Sequence, residues 1–327
     1  MEMARILAIG GAHIDRKGWL SAPHQPGASN PGRWETEAGG GAFNAARNLA
    51  RLGHQVTLVA PRGGDAAADM VARAADEAGI EDCPLTFIDR ATPSYSAILE
   101  PDGNLVTALA DMALYDLIPA RRLLTSRLRK RLTDADLLLM DSNLPASALT
   151  AMAEVASERS LPLAVIAVSP AKVVRWKPSL SKISCLAMNA AEAAALTGAP
   201  AQSPDDWQAM LSASGLKGGL VTAGAGPVAA FASLPSTTAS SVLVPPPLDD
   251  VRDVVGAGDA LASGYLDGWL AGDTIGDSLT RGIALARLTA SVRGPVRQDL
   301  SRELLAQALK TMPKPAQFPL PASGAPA

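Results

Sequence analysis

The chain has few aromatics (4% of 327 residues), only two cysteines, and no long run of lysine or arginine. With a net charge of −3 it lacks the basic surface that a nucleic-acid partner needs, so none is expected. Cys83 and Cys185 are far apart and form no CxxC pair. They read as small buried hydrophobes in a reducing compartment, not as a disulfide framework. No apolar stretch reaches the 18 residues or so of a membrane span. The opening "MEMARILAIGGAHID" is too soon interrupted by Gly and Asp15 for a signal peptide. A cytoplasmic protein with no membrane contact is the expectation.

What is present is 48% hydrophobic residue content, rich in Ala and Gly, which suits close packing of helices on a buried sheet. "RILAIGG", "QVTLVAPRG", "DADLLLMDSN", "LPLAVIAVS", "CLAMN" and "GGLVTAG" read as strands. Between several of them lie segments of helical spacing such as "GAFNAARNLARLGH" and "PASALTAMAEVASERS". That alternation predicts an α/β, doubly wound, mostly parallel sheet flanked by helices. Residues 16–37 and 92–111 break the beat. They are strand-like and turn-rich, with a hairpin signal in "EPDGNL", and predict a small β-layer. A single domain over 1–312 is expected, with the Pro- and Ala-rich 313–327 a disordered tail.

Two glycine-rich turns carry the chemistry. In "DVVGAGDALASGYL" apolar residues lead into Gly256, Ala257 and Gly258, and a helix starts near Asp259. Small residues there let backbone N–H groups converge on an anion, and the helix dipole adds positive potential. A carboxylate beside such a cradle can take the proton of an attacking hydroxyl, which is the layout of a phosphoryl-transfer site. Taken alone, the same residues also suit an ordinary helix start with an N-terminal charge. In "EAGGGAFNAARNLARLG" glycines again open a helix, with Asn44 in its first turns. No GK[ST] follows, and the spacing is not that of a dinucleotide fingerprint.

The pair of stretches, about 210 residues apart, resembles the two signatures of the PfkB, or ribokinase-like, sugar and nucleoside kinases. The resemblance runs from residue 5 to about 310. It takes in "GGAHID", an Asn-x-x-Glu at Asn189 and Glu192, and the "LVTAG" strand. It implies that Asp259 is the base and that the N–H groups of Ala257 and Gly258 in the 256–259 turn form the anion hole. Asp15, with Gly40, Gly41 and Asn44, would hold the sugar hydroxyls. Asn189 and Glu192 would organise Mg2+ and the phosphates of ATP through water, and Thr222 and Gly224 would face the nucleotide. Asp253 and Val255 stand where relatives hold K+. The β-layer at 16–37 and 92–111 resembles the family's lid, whose exposed strand could pair two copies into a homodimer. Val254 replaces the family's usual threonine, Gly226 and Pro227 depart from its nucleotide loop, and His13 replaces its usual asparagine. His13 reads as a structural residue beside the site.

For the acceptor, "ASNPGRWETEAGGG", "ADMALYD" and "LLLMDSNLPASAL" resemble the pseudouridine kinases within that family. This implies a nucleoside phosphorylated on its 5′-hydroxyl, with Ser29, Asn30, Asp111 and Asn143 near the base. Pseudouridine carries an extra N–H on its base, and a site with a buried acceptor for it would reject uridine. A free-sugar kinase and a non-catalytic sugar or nucleoside sensor are the alternatives.

Overall fold

The computed structural model describes residues 3–234 and 237–318. Strand β1 (Arg5–Ile9) is followed by β2 (His13–Leu20) and β3 (Gly32–Gly39), then by a helix over Gly41–Arg51, β4 (Gln55–Val59) and β5 (Pro61–Gly63). A helix over Ala66–Asp76 leads to β6 (Glu81–Asp82), β7 (Leu85–Phe87), β8 (Ser94–Leu99) and β9 (Leu105–Asp111). Then β10 (Leu137–Asp141), β11 (Leu163–Ile166), β12 (Cys185–Asn189) and β13 (Gly218–Thr222) alternate with helices, including Ala146–Glu158 and Ala190–Thr197. After β14 (Val228–Leu234) and β15 (Thr237–Val244) come the helices Ala257–Leu270 and Ile275–Ala290, and finally β16 (Ala316–Gln317).

Ten strands form the main sheet in the order β16-β15-β14-β13-β12-β11-β10-β1-β4-β6. Pairing is parallel from β13 through to β6 and antiparallel from β13 to β16. The central strands are apolar end to end, as strands covered on both faces must be: Leu137 to Asp141 are all buried. The chain leaves β1 toward β4 on one side and returns as β10 on the other. Crevices at the carboxyl ends of strands open at such a switch point. The tail expected to be disordered from residue 313 contributes β16, which pairs Ala316 with Val244 and Gln317 with Leu243; residues 319–327 lie outside the described residues. Among the described residues no helix is long and apolar enough to cross a membrane.

The small β-layer is a separate four-stranded sheet, β3-β2-β8-β9. Its first hairpin extends beyond the expected 16–37 because His13 pairs with Gly39. "EPDGNL" closes the other hairpin: Gly103 takes φ 91°, and Glu100 and Asn104 pair across the turn. The Ala257–Leu270 helix, whose middle is wholly buried, packs on Ile275–Ala290 at close range. A Cβ on Gly264 would stand 2.7 Å from the Arg281 carbonyl oxygen, so the glycines of "ASGYLDG" permit the approach that fixes the start of the helix.

Candidate active site

Both glycine-rich turns open helices at the carboxyl ends of central strands, yet their N–H groups meet different fates. At Gly41–Arg51 the Ala42 N–H donates to Asp141 Oδ2 (3.1 Å), the Phe43 N–H to the Gly11 carbonyl (3.3 Å) and the Asn44 N–H to the Gly40 carbonyl (2.7 Å). Asp141 is fully buried. It also accepts from the Gly11 N–H (2.9 Å) and from the Asn143 backbone and side-chain amides (2.9 and 2.8 Å). An anion at this helix start is thus supplied by the chain itself. The Ala42 N–H is therefore not open to a ligand.

The second turn is left open. Gly256 has φ 75°, and a Cβ there would strike the Pro295 carbonyl, so only glycine fits. The Ala257 N–H, expected in the anion hole, donates instead to the Val254 carbonyl at 3.2 Å. The N–H groups of Gly258 and Asp259 have no acceptor among the described residues, and a Cβ on Gly258 would meet nothing within 4 Å. The unpaired N–H groups therefore stand one residue later than expected, at Gly258 and Asp259.

Asp259 is half-buried beside this opening, and its Oδ2 accepts from Asn44 Nδ2 at 2.8 Å. Asn44 Oδ1 in turn accepts from Arg47 Nη2 at 2.6 Å, and the same Nη2 donates to the Ala38 carbonyl (2.7 Å). With its oxygen held by Arg47, the Asn44 amide must present its NH2 to Asp259. Burial raises the Asp259 carboxyl to about 7; the Asn44 hydrogen bond and the Arg47 charge oppose the rise, and the charges of Asp141 and Glu192 add to it. A carboxyl poised there can take up a proton near neutral pH.

A cavity of about 220 Å³ joins Asp259 and Gly258 to Asn189, Glu192, Thr222 and the ends of β11 and β12. Asn189 caps the Ala190–Thr197 helix: its Oδ1 accepts the Glu192 N–H (2.9 Å), and Glu192 Oε2 accepts the Asn189 N–H (2.7 Å). Burial raises the Glu192 carboxyl. One Glu192 oxygen is left for other partners, whereas the Asn189 oxygen is engaged. No cluster of three metal-ligating side chains exists among the described residues. A lone carboxylate fits Mg2+, which keeps several waters and takes phosphate oxygens as ligands. Gly224, in a left-handed turn at φ 60°, lies past Thr222 and does not line the cavity. Val168 does, and it holds φ 72°, a strained backbone for a β-branched residue and of the kind found at functional clefts.

On the sugar side, Asp15 stands on β2 with its Oδ1 3.4 Å from His13 Nε2, and His13 Nδ1 lies 3.0 Å from the Tyr115 hydroxyl. His13 thus stands between Asp15 and Tyr115. Gly40, at φ 117°, is glycine by necessity, since a Cβ would strike the Gly11 carbonyl; at Gly39 a Cβ would displace the Asp15 carboxylate. Gly41 abuts Ile166 and Val168 at the cavity wall.

The residues expected at the base are dispersed. Asn30 spends its amide within its own loop, accepting from the Gln25 N–H (2.8 Å) and donating to the carbonyls of Gln25 and Ala28 (3.0 and 2.9 Å). Asn143 is buried between Asp141 and Lys172, whose Nζ lies 2.6 Å from its Oδ1, and serves as a tie. Ser29, in the loop between β2 and β3, and Asp111, at the end of β9, are exposed and lie outside the cavity. The expected K+ ligands do not fit a cation either. Asp253 Oδ1 accepts the Val255 N–H (3.0 Å), and its Oδ2 accepts the Gly294 N–H (3.2 Å) and faces Lys17 Nζ (3.5 Å), so both carboxylate oxygens are already engaged.

Asp141, Arg47 and Tyr115 were missed. Asp141 closes a fully apolar strand at its carboxyl end, a position that signals function in open sheets. Arg47 lies three residues after Asn44, on the same helix face.

An open helix N-terminus with a carboxyl poised near neutrality, over a cleft at the carboxyl ends of parallel strands of a doubly wound sheet, suits a phosphotransferase acting on an alcohol. The chain belongs to the pfkB family carbohydrate kinases, whose pattern it matches over residues 3–301. It is 27% identical to the pseudouridine kinase of Escherichia coli (strain K12) over 304 residues, covering 92% of this chain and 95% of that one. It is also 27% identical to the uncharacterized sugar kinase YeiI of the same strain, covering 90% and 81%. Among solved structures, a carbohydrate kinase from Agrobacterium tumefaciens superposes with a TM-score of 0.86 at 50% identity, over 97% of this chain and all of the other. The Arabidopsis thaliana ribokinase complexed with ribose and ATP superposes at 0.80 with 20% identity, over 94% and 99%.

Proposed function

We propose that this kinase transfers the γ-phosphoryl group of ATP to the 5′-hydroxyl of a nucleoside, with pseudouridine the leading acceptor. The observation that carries the reaction is Asp259: a carboxyl raised to about 7, hydrogen-bonded to Asn44, one residue from an unpaired N–H at a helix start. Asp259 takes the proton of the acceptor hydroxyl as that oxygen attacks the γ-phosphorus. The bond from phosphorus to the bridging oxygen breaks, and ADP leaves. The N–H groups of Gly258 and Asp259 receive the charge that builds on the transferred group. Asp15, braced by His13, accepts from the sugar hydroxyls and points the 5′-oxygen at Asp259. Mg2+, gathered from the Glu192 side, neutralises phosphate charge when bound.

The likeness to the Escherichia coli pseudouridine kinase supports the acceptor. Asn30 and Asn143 are withdrawn from the base, leaving Ser29 of the β2–β3 loop and Asp111 of β9 for that role. We place the reaction in the cytoplasm, in keeping with two unpaired thiols. A second copy would dock on the small sheet, whose edge strand β9 exposes Leu105 and Leu109 (58% and 70%). ADP release with ATP and Mg2+ across pseudouridine, uridine, adenosine, inosine, ribose and fructose tests the function. Turnover confined to pseudouridine upholds it. Turnover on ribose or fructose alone replaces it with a free-sugar kinase, a reading that the resemblance to the uncharacterized sugar kinase keeps in view.

A further inference from the structure

Strand β2 carries Asp15 and Lys17 on one face, and the register sets them opposite Glu37 and Glu35 of β3. Lys17 Nζ lies 3.0 Å from Glu37 Oε1 and 3.5 Å from Asp253 Oδ2, with Lys17 and Asp253 only 19% and 21% exposed. Asp253 precedes Gly256 by three residues and is itself anchored to the N–H groups of Val255 and Gly294. Gly294 is packed so near Glu37 that a Cβ would stand 3.0 Å from its Oε2. One ammonium thus joins the small sheet, the segment entering the Gly256–Asp259 turn and the loop at Gly294. Burial works against this charge, but the hydrogen bonds and charges of Glu37 and Asp253 outweigh it and hold the Lys17 ammonium above its ordinary range.

We infer that Lys17 is a resident cation. It positions the catalytic turn from the small sheet and fills the electrostatic role that the resemblance gave to K+. A hard cation needs converging oxygens, and here Asp253 Oδ1 is taken by the Val255 N–H while its Oδ2 faces the Lys17 ammonium and the Gly294 N–H. Lys17 touches no reacting atom and acts through Asp253 on the placement of Gly258 and Asp259. Because Asp15 shares its strand face, the same strand aligns the acceptor clamp with the turn.

The turnover arm of the test rests on the proposed kinase activity; the melting arm uses no acceptor, so the two can fail separately. Wild-type protein is assayed in KCl and in tetramethylammonium chloride at equal ionic strength, beside Lys17→Met and Lys17→Arg. The wild type should turn over and melt alike in both salts. Lys17→Met should lose about tenfold or more in kcat without K+, regain part of it with K+, and show a saturable K+-dependent rise in Tm. Lys17→Arg should stay insensitive to K+. A wild type activated or stabilised by K+ over tetramethylammonium overturns the inference. So does a Lys17→Met variant that has normal turnover without K+, or one whose melting ignores K+. If Lys17→Met does not fold, the wild-type comparison in the two salts decides.

Discussion

A base held near pH 7 inside a folded protein destabilises that protein whenever it is charged, and Asp259→Asn measures by how much. The unfolded carboxyl ionises at its ordinary 3.8, the folded one at about 7. Between those values the folded state binds the extra proton, so stability must fall as pH rises from about 4 through 7. At 1.36 kcal/mol per pKa unit, the interval amounts to about 4 kcal/mol, fully developed above pH 7 and absent below pH 4. Asparagine keeps the shape and can still accept from Asn44, but it has no charge to bury. The variant should therefore match the wild type near pH 4 and exceed it by up to about 4 kcal/mol at pH 8, read from urea unfolding across pH. In the same protein kcat should drop by about 10²–10⁴. The wild-type kcat/KM should fall away on the acid side of about pH 7 as Asp259 takes up its proton. A pH-independent stability difference, or a variant with near-normal turnover, would refute both the burial argument and the assignment of the base.

Three further perturbations separate the groups around Asp259. Asn44→Ala removes the hydrogen bond that favours the charged carboxylate, so the acid limb of the kcat/KM profile should move to higher pH. Arg47→Met should move it the same way by a smaller step, and an unmoved limb in both variants would unlink them from the base. Asp141→Ala leaves the Gly11, Ala42 and Asn143 donors without their acceptor and should cost about 3–5 kcal/mol in urea unfolding; a loss under 1 kcal/mol would show the tie to be dispensable. Leu109→Glu places a charge on the exposed edge of β9 and should convert any dimer to monomer in sedimentation, without changing kcat; an unaltered mass above the monomer's would put the interface elsewhere.

The sheet, its order of strands and helices and both glycine turns were legible because each rests on local chemistry. The run from Leu137 to Met140 cannot face water, and Gly256 cannot be anything but glycine at φ 75°. Asp259 was legible for the same reason, as a carboxylate in the first turn of a helix opened by small residues. What the sequence concealed was pairing across long separations. Asp141 meets Gly11 and Ala42 from 130 and 99 residues away. Lys17 meets Asp253 across the whole fold. Nothing in "LLLMDSN" says that its aspartate will stopper another helix, and the same short polar residues, Asn30 and Asn143, look available in sequence until their partners are seen.

That distinction explains why two turns so alike came to differ in use. Each helix start concentrates N–H groups and positive potential, so each attracts an anion. At Gly41 the anion is Asp141, fixed by four donated hydrogen bonds and sealed from water; a ligand would have to displace a fully satisfied buried carboxylate, which no phosphate could do without leaving that charge unpaired. At Gly256 the carboxylate of Asp259 belongs to the helix itself and turns aside to Asn44, leaving the Gly258 and Asp259 N–H groups free over the cleft. Asp141 then contributes a second time, since its fixed negative charge is one of those holding the Asp259 carboxyl high. One helix start is spent on rigidity and on tuning the base. In the proposed mechanism the other is kept for charge that exists only during the transfer, which is where binding energy accelerates a reaction.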